Sequence, residues 1–193
     1  MRRLFFLLCV SLNLAQPALA QQDPSPPPAQ LPSPPPDDGR LPAYLSRKFG
    51  LAKEKALQIS NAVDLAAAKY SLPPAMLLAI ISIESRFKEK ARGSRGATGL
   101  MQVVPSAHRN LLRNTKDLTE PGTNIDTGSA ILYGYLKSAG GDVNAALKKY
   151  GGSQAYAERI QKRTGEFTQV VAPPVPLQAD APAASAPSAN PAN

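Results

Sequence analysis

Pro74-Ala75-Met76-Leu77-Leu78-Ala79-Ile80-Ile81-Ser82-Ile83-Glu84 is an apolar run that ends in a carboxylate, and the glycine-punctuated stretch Gly96-Ala97-Thr98-Gly99-Leu100-Met101-Gln102 follows it. Proline is welcome in the first turn of a helix, so Pro74 predicts a helix start. The run is apolar on nearly every face, which places that helix at the centre of a core. Glu84 then closes it. Burial disfavours the carboxylate anion, and so does the negative end of a helix dipole. Both push the pKa upward, toward a group that holds a proton near neutral pH and gives it away. Taken alone, the same residue also reads as a helix-terminal carboxylate paired with Arg86 or a lysine.

On either side the helical spacing continues. Ala52, Ala56, Ile59, Val63, Ala66 and Tyr70 recur every three to four residues, which predicts an amphipathic helix over 52–70 that Pro73-Pro74 terminates. From Lys88 to Thr98 glycine and charge replace the apolar pattern, so an irregular loop is expected there, with a short hairpin left open. Leu100 to Leu112 reads as a helix with Pro105 near a turn boundary. Asn124-Ile125-Asp126 opens another, with Ile125, Gly128, Ile131, Leu132, Tyr135 and Leu136 on one stripe and Gly140-Gly141 stopping it. Asp142 is the expected N-cap for Val143 to Tyr150, and Ser153 for a last helix through Ile160. The folded block is therefore mainly α.

The ends differ from this block. Arg2 and Arg3, the apolar Leu4 to Leu14 and the small residues Ala18-Leu19-Ala20 read as an export signal over 1–20. That apolar run is too short for a spanning helix, and no other reaches the roughly 20 residues a bilayer needs. Residues 21–39 and 170–193 are rich in proline, alanine, serine and glutamine. Such segments bury too little apolar surface to fold, so a disordered linker and tail are expected. What remains, 40–169, is near the ~100–150 residue size of one domain with one core. Cys9, the only cysteine, lies in the signal and offers the mature chain no disulfide.

The chain carries a net charge of +8. Every Lys and Arg except Arg2 and Arg3 falls inside 40–169, whereas Asp23, Asp37, Asp38 and Asp180 lie outside it, so the block is more basic than the whole. That balance suits either a plain solvated surface or a patch for a polyanion, such as an acidic cell-wall polymer. Export and the lack of interleaved aromatics count against nucleic acid. His108 is the sole histidine, expected at the surface, and no nucleophile elbow accompanies it, which disfavours a serine–histidine hydrolase. No His, Cys and carboxylate cluster has metal-ligand spacing. Neither a metal nor another cofactor is expected, and the chain is expected to act as a monomer.

Glu84-Ser85-Arg86-Phe87, then Gly96-Ala97-Thr98-Gly99-Leu100-Met101-Gln102 with Pro105, resembles the signature of the soluble lytic transglycosylase family. Asn124-Ile125 with Gly128 is similar to that family's second block, and Ala145-Ala146-Leu147-Lys148-Lys149-Tyr150-Gly151-Gly152 to its third. The resemblance covers Glu84 to Gly152 in the family's order. It implies a lysozyme-like (goose-type) helical fold with a glycine-rich loop beside the cleft. Glu84 becomes the catalytic acid/base, Gln102 a cleft residue positioning sugar or acid, and Tyr150 a hydroxyl near the carboxyl. Asn124 and Ser94 become substrate contacts. Family members cut the β-1,4 bond between N-acetylmuramic acid and N-acetylglucosamine in peptidoglycan and leave a 1,6-anhydromuramoyl end. Such an enzyme would work in the periplasm on glycan strands, and small relatives of this kind serve envelope-spanning secretion or conjugation machinery.

This chemistry fits a sequence in which a second catalytic carboxylate is hard to nominate. Ordinary glycosidases need two, yet Asp117, Glu120 and Asp126 stand in turn- or cap-like settings. If the muramic sugar's own C6 hydroxyl attacks, one carboxyl suffices as acid and then base. Two other readings stay open: a hydrolytic muramidase on the same fold, and a peptidoglycan-binding module without turnover. The second draws on two departures from the family pattern, Gly93 in place of serine with Ser94 one position later, and Gly151 in place of asparagine.

Overall fold

The computed structural model describes residues 39–113, 115 and 117–172. The expected signal segment, the linker through residue 38 and the tail from residue 173 lie outside them. Six helices make up the described fold: α1 (Arg40–Phe49), α2 (Lys53–Tyr70), α3 (Pro74–Glu84), α4 (Pro121–Ser138), α5 (Val143–Gly151) and α6 (Gln154–Val171). The mainly α expectation holds.

α3 is the axle. Pro74 occupies its first turn, and every residue from Ala75 to Ser82 is buried. It packs most extensively against α6 and also against α2; α4 lies on α2, and α5 bridges α4 and α6. Leu77, Leu78, Ala79, Ile80 and Ile81 are wholly screened from solvent, and each of the Leu and Ile side chains contributes roughly 1.5–3 kcal/mol of burial free energy. A helix this apolar is held by its neighbours rather than by its own amphipathicity.

Two elements depart from the sequence reading. α1 had no counterpart in it, because ten residues with apolar positions at Leu41, Leu45 and Phe49 give only a short periodic signal. Those side chains close one end of the core beside Phe87 and Phe167. α6 runs past the expected Ile160 to Val171, and Phe167, fully buried, with Val170 and Val171 packed on the core, extends the folded block beyond Gln169.

The expected helix over 100–112 does not form. Thr98 and Val103 exchange both backbone hydrogen bonds, at 2.9 and 3.0 Å, and Thr98 also bridges to Arg92. Gln102 between them takes a left-handed φ of 50°, and Pro105 starts a single 3-10 turn, Pro105–Ala107. The peptide groups a helix needs are committed to this small hairpin-like loop.

The loop is fastened by Asn124. Its Oδ1 accepts from the Met101 amide at 2.7 Å, and its Nδ2 donates to the carbonyls of Thr98 (2.9 Å) and Leu118 (2.8 Å). Gly99, at φ 80°, leaves room for that amide: a Cβ there would lie 2.2 Å from Asn124 Nδ2. Gly128, one turn along α4, admits Met101, whose Cβ would be 2.7 Å from any Cβ at 128. α4 opens at Pro121, earlier than Asn124, because Glu120 caps it by accepting from the amides of Gly122 and Thr123. Asp142 and Ser153 cap α5 and α6 as expected.

Two glycines of α4 separate propensity from packing. Gly128→Ala is expected to destabilise by about 1–2 kcal/mol, since overpacking against buried Met101 outweighs the helix gain. Gly134→Ala, with open space around it, is expected to stabilise by up to about 1 kcal/mol. Urea denaturation of both variants checks the pair, and equal signs would contradict the packing argument.

Candidate active site

After Glu84 the chain reverses sharply. Arg86 and Phe87 take φ values of 53° and 63°, a left-handed conformation that costs L-residues roughly 1–2 kcal/mol each. The reversal buries the Phe87 ring 4.5 Å from that of Phe49 and leaves Glu84, half-buried, at the end of the core helix. Backbone strain beside a catalytic candidate is a common feature of functional sites.

Burial raises the pKa of Glu84. A hydrogen bond from Tyr156 and the charge of Arg159 oppose that rise without cancelling it. The Tyr156 hydroxyl donates to Glu84 Oε1 at 2.7 Å. Tyr156 is itself buried, in the first turn of α6, where its amide is bonded by the Ser153 cap. Burial and the neighbouring carboxylate push the Tyr156 phenol far up, so it remains a donor. The sequence reading missed this residue, although Ser153 as a cap fixes the turn on which Tyr156 stands.

Tyr150 lies within electrostatic reach of Glu84. Its hydroxyl donates to the Met101 carbonyl at 2.9 Å, tying α5 to the glycine loop. Burial and the charge of Glu84 hold its pKa high, so Tyr150 shares the carboxyl's electrostatic surroundings while Tyr156 makes the hydrogen bond. The Gln102 side chain donates to Gly99 O at 2.9 Å and Ala91 O at 3.3 Å, which braces the loop, and it remains half-buried. Ser94 is exposed on the same loop. Asn124 corrects the expectation of a substrate contact: it is wholly buried, and its amide is spent on Met101, Thr98 and Leu118. His108 is half-buried beside Tyr135, and burial lowers its pKa, so it is less superficial than expected.

The two departures at glycine differ in their surroundings. A Cβ at Gly93 would come within 2.3 Å of Gln102 Oε1, so a side chain there would only have to turn the end of the glutamine aside. A Cβ at Gly151 would lie 2.1 Å from Tyr156 Cγ. The tyrosine ring occupies that corner, and glycine is what admits it.

The three acids set aside as second carboxylates are occupied elsewhere. Asp117 accepts from the amide and hydroxyl of Thr119, Glu120 caps α4, and Asp126 pairs with Lys69 at 2.7 Å and accepts from Tyr70. The arrangement offers one proton-holding carboxyl with a phenol fixed upon it.

The Transglycosylase SLT domain family matches residues 61–170, and the chain belongs to that family. A transglycosylase of Enterobacteria phage PRD1 is 34% identical over 97 residues, covering 50% of this chain and 36% of its own. The membrane-bound lytic murein transglycosylase C of Actinobacillus pleuropneumoniae serotype 5b is 34% identical over 134 residues, covering 62% of this chain and 36% of its own. Among solved structures, an inactive mutant of the lytic transglycosylase Slt from Pseudomonas aeruginosa superposes with a TM-score of 0.55 at 21% identity, over 65% of this chain and 25% of that one. The chain thus has the lysozyme-like helical fold of Slt, and it spans about a third of the length of these sequence relatives.

Removing the Tyr156 hydroxyl takes away a bond to the charged form of Glu84, so its pKa is expected to rise further in Tyr156→Phe. Gly151→Ala, by displacing the ring, is expected to shift it in the same direction. NMR titration of the Glu84 carboxyl carbon reads both; an unchanged or lowered midpoint in both variants would contradict the coupling.

Proposed function

We propose that the chain is a peptidoglycan lytic transglycosylase that cleaves the β-1,4 bond between N-acetylmuramic acid and N-acetylglucosamine, with Glu84 as its single acid/base. The observation that carries this reading is the half-buried carboxyl whose pKa is raised at the end of α3, in a chain of the SLT family. Protonated Glu84 gives its proton to the glycosidic oxygen as the bond to C1 breaks. The resulting carboxylate takes the proton of the muramic C6 hydroxyl as that oxygen bonds to C1, which closes a 1,6-anhydro ring. No water is consumed and Glu84 ends protonated, ready for another strand. Attack from within the same sugar gains effective concentration.

Tyr156 orients the carboxyl and steadies its charge after the first proton transfer. Gln102 and Ser94, on the loop, and Tyr150, at its edge, are assigned to the sugar-binding groove. A hydrolytic muramidase would need a base for water, and the structural duties of Asp117, Glu120 and Asp126 weigh against that alternative. Gly151 makes room for Tyr156 rather than emptying the groove, which favours turnover over a binding-only role. Export through residues 1–20 to the periplasm, and service to a secretion or conjugation machine, belong to this proposal.

Glu84→Gln is expected to cut activity on sacculi by at least about 100-fold while binding to sacculi persists. Mass spectrometry of the parent's products is expected to show anhydro ends, and products one water heavier would overturn the transglycosylase assignment. The same variant bears on stability. Glu84 has a raised folded pKa, so the folded state holds its proton more tightly than the unfolded chain. Stability is therefore fully present below the ordinary value of 4.5 and is lost as pH rises through the folded pKa. The Gln variant escapes that loss. Its melting temperature is expected to exceed the parent's at neutral pH and to match it in acid, which thermal melts at the two pH values check.

A further inference from the structure

α3 ends without a cation of its own. α1, α2, α4 and α5 each carry a lysine or arginine in the last turn, where positive charge complements the negative end of the helix dipole, and the last turn of α3 carries none. It adds a carboxyl instead. The charge that forms when Glu84 loses its proton therefore meets an unfavourable field, and any compensation comes from another element.

α6 supplies it. Tyr156 and Arg159 stand three residues apart, the spacing of neighbours on one helix face. The Tyr156 hydroxyl donates to Glu84 Oε1. Arg159 lines a hollow together with Ser82 and Ile83, the two residues before Glu84, and with Arg86, the second residue after it. The chain on both sides of the carboxyl thus meets this guanidinium, and its charge reaches Glu84. Three groups face Glu84 from neighbouring helices: Tyr156 and Arg159 from α6, and Tyr150 from α5. Both phenols are pushed far up and stay neutral, so Arg159 brings the only full charge of the three. Lys48, Arg86 and Arg163 line the same hollow, yet Arg159 alone of the four cations acts on the carboxyl. Lys48 and Arg163 face Glu166 instead, whereas Arg159 forms no salt bridge among the described residues.

A guanidinium keeps its charge throughout the working pH range, and it favours the anion of Glu84 over the neutral acid. That preference is realised only as the proton leaves, which is the condition for lowering a barrier instead of tightening a ground state. Resting on the lytic reading above, we propose that Arg159 is a positioning residue that stabilises the carboxylate Glu84 becomes while the glycosidic oxygen takes its proton and its bond to C1 breaks. Arg159 neither gives nor takes a proton in this step. The same anion is then held in place for the C6 hydroxyl proton that it recovers.

Arg159 is exposed, so its substitution spares the core. The parent's activity on sacculi falls as pH rises through the pKa of Glu84, since the acid acts protonated. In Arg159→Gln that limb is expected to move to higher pH, because the anion has lost its partner. At the acid plateau kcat is expected to drop about threefold, the size of one exposed charge pair, with KM unchanged. Arg159→Lys is expected to bring the limb back toward the parent's, and about 0.5 M salt to shrink the difference between parent and Arg159→Gln. A limb that stays in place in Arg159→Gln, an undiminished plateau, or a lysine variant indistinguishable from the glutamine one would overturn the proposal. If the parent itself cuts no sacculi, the lytic reading fails by itself. NMR titration of the Glu84 carboxyl carbon then decides the role of Arg159: a midpoint higher in Arg159→Gln than in the parent supports it, and an equal or lower one sinks it.

Discussion

The hydrogen bond from Tyr156 to Glu84 joins the two helices that form the most extensive contact in the fold, and it settles what the burial of an acid can be used for. A carboxyl at the end of α3 is raised in pKa by its surroundings and would be indifferent to direction if nothing held it. The phenol fixes one oxygen at 2.7 Å. It also limits the pKa rise, because it favours the anion that burial disfavours. These opposed influences leave a group able to part with a proton and take one back. The packing of α3 against α6 thus positions this carboxyl as well as holding the fold together.

The glycine loop depends on a second buried polar centre. Asn124 presents one acceptor and two donors to three backbone groups on two stretches of chain, and all three are satisfied. Leaving any of them unpaired in the core costs roughly 1–3 kcal/mol. Tyr150 ties the same loop to α5 through the Met101 carbonyl, and Gln102 braces it from within. The loop is therefore held by three side chains, from α4, from α5 and from the loop itself.

Much of the fold was legible because it rests on local signals. The helix over 74–84 follows from Pro74 and an unbroken apolar run, and the caps at Asp142 and Ser153 follow from residue type alone. The helix over 100–112 misled because Leu100, Met101 and Val103 are apolar for a tertiary reason: Met101 fills the notch at Gly128, and Val103 pairs with Thr98. The raised pKa of Glu84 was legible from its place at the end of an apolar helix. Asn124 was found, but its duty was inverted, since a buried amide clasp and a sugar contact leave the same trace in a sequence. Tyr156 was invisible because its partner is 72 residues away and only the approach of α6 to α3 brings them together.

At the α5–α6 corner, the missing side chain at Gly151 and the ring of Tyr156 occupy one volume between them. Neither position has an independent history available to it. A larger residue at 151 becomes acceptable only alongside a longer connection or a relocated aromatic, so the two sites must drift together or not at all. Residues exchanged singly between this chain and relatives built with asparagine there will carry penalties that vanish when the whole corner is transplanted. Epistasis of this kind is written into the shortness of the turn between the two helices.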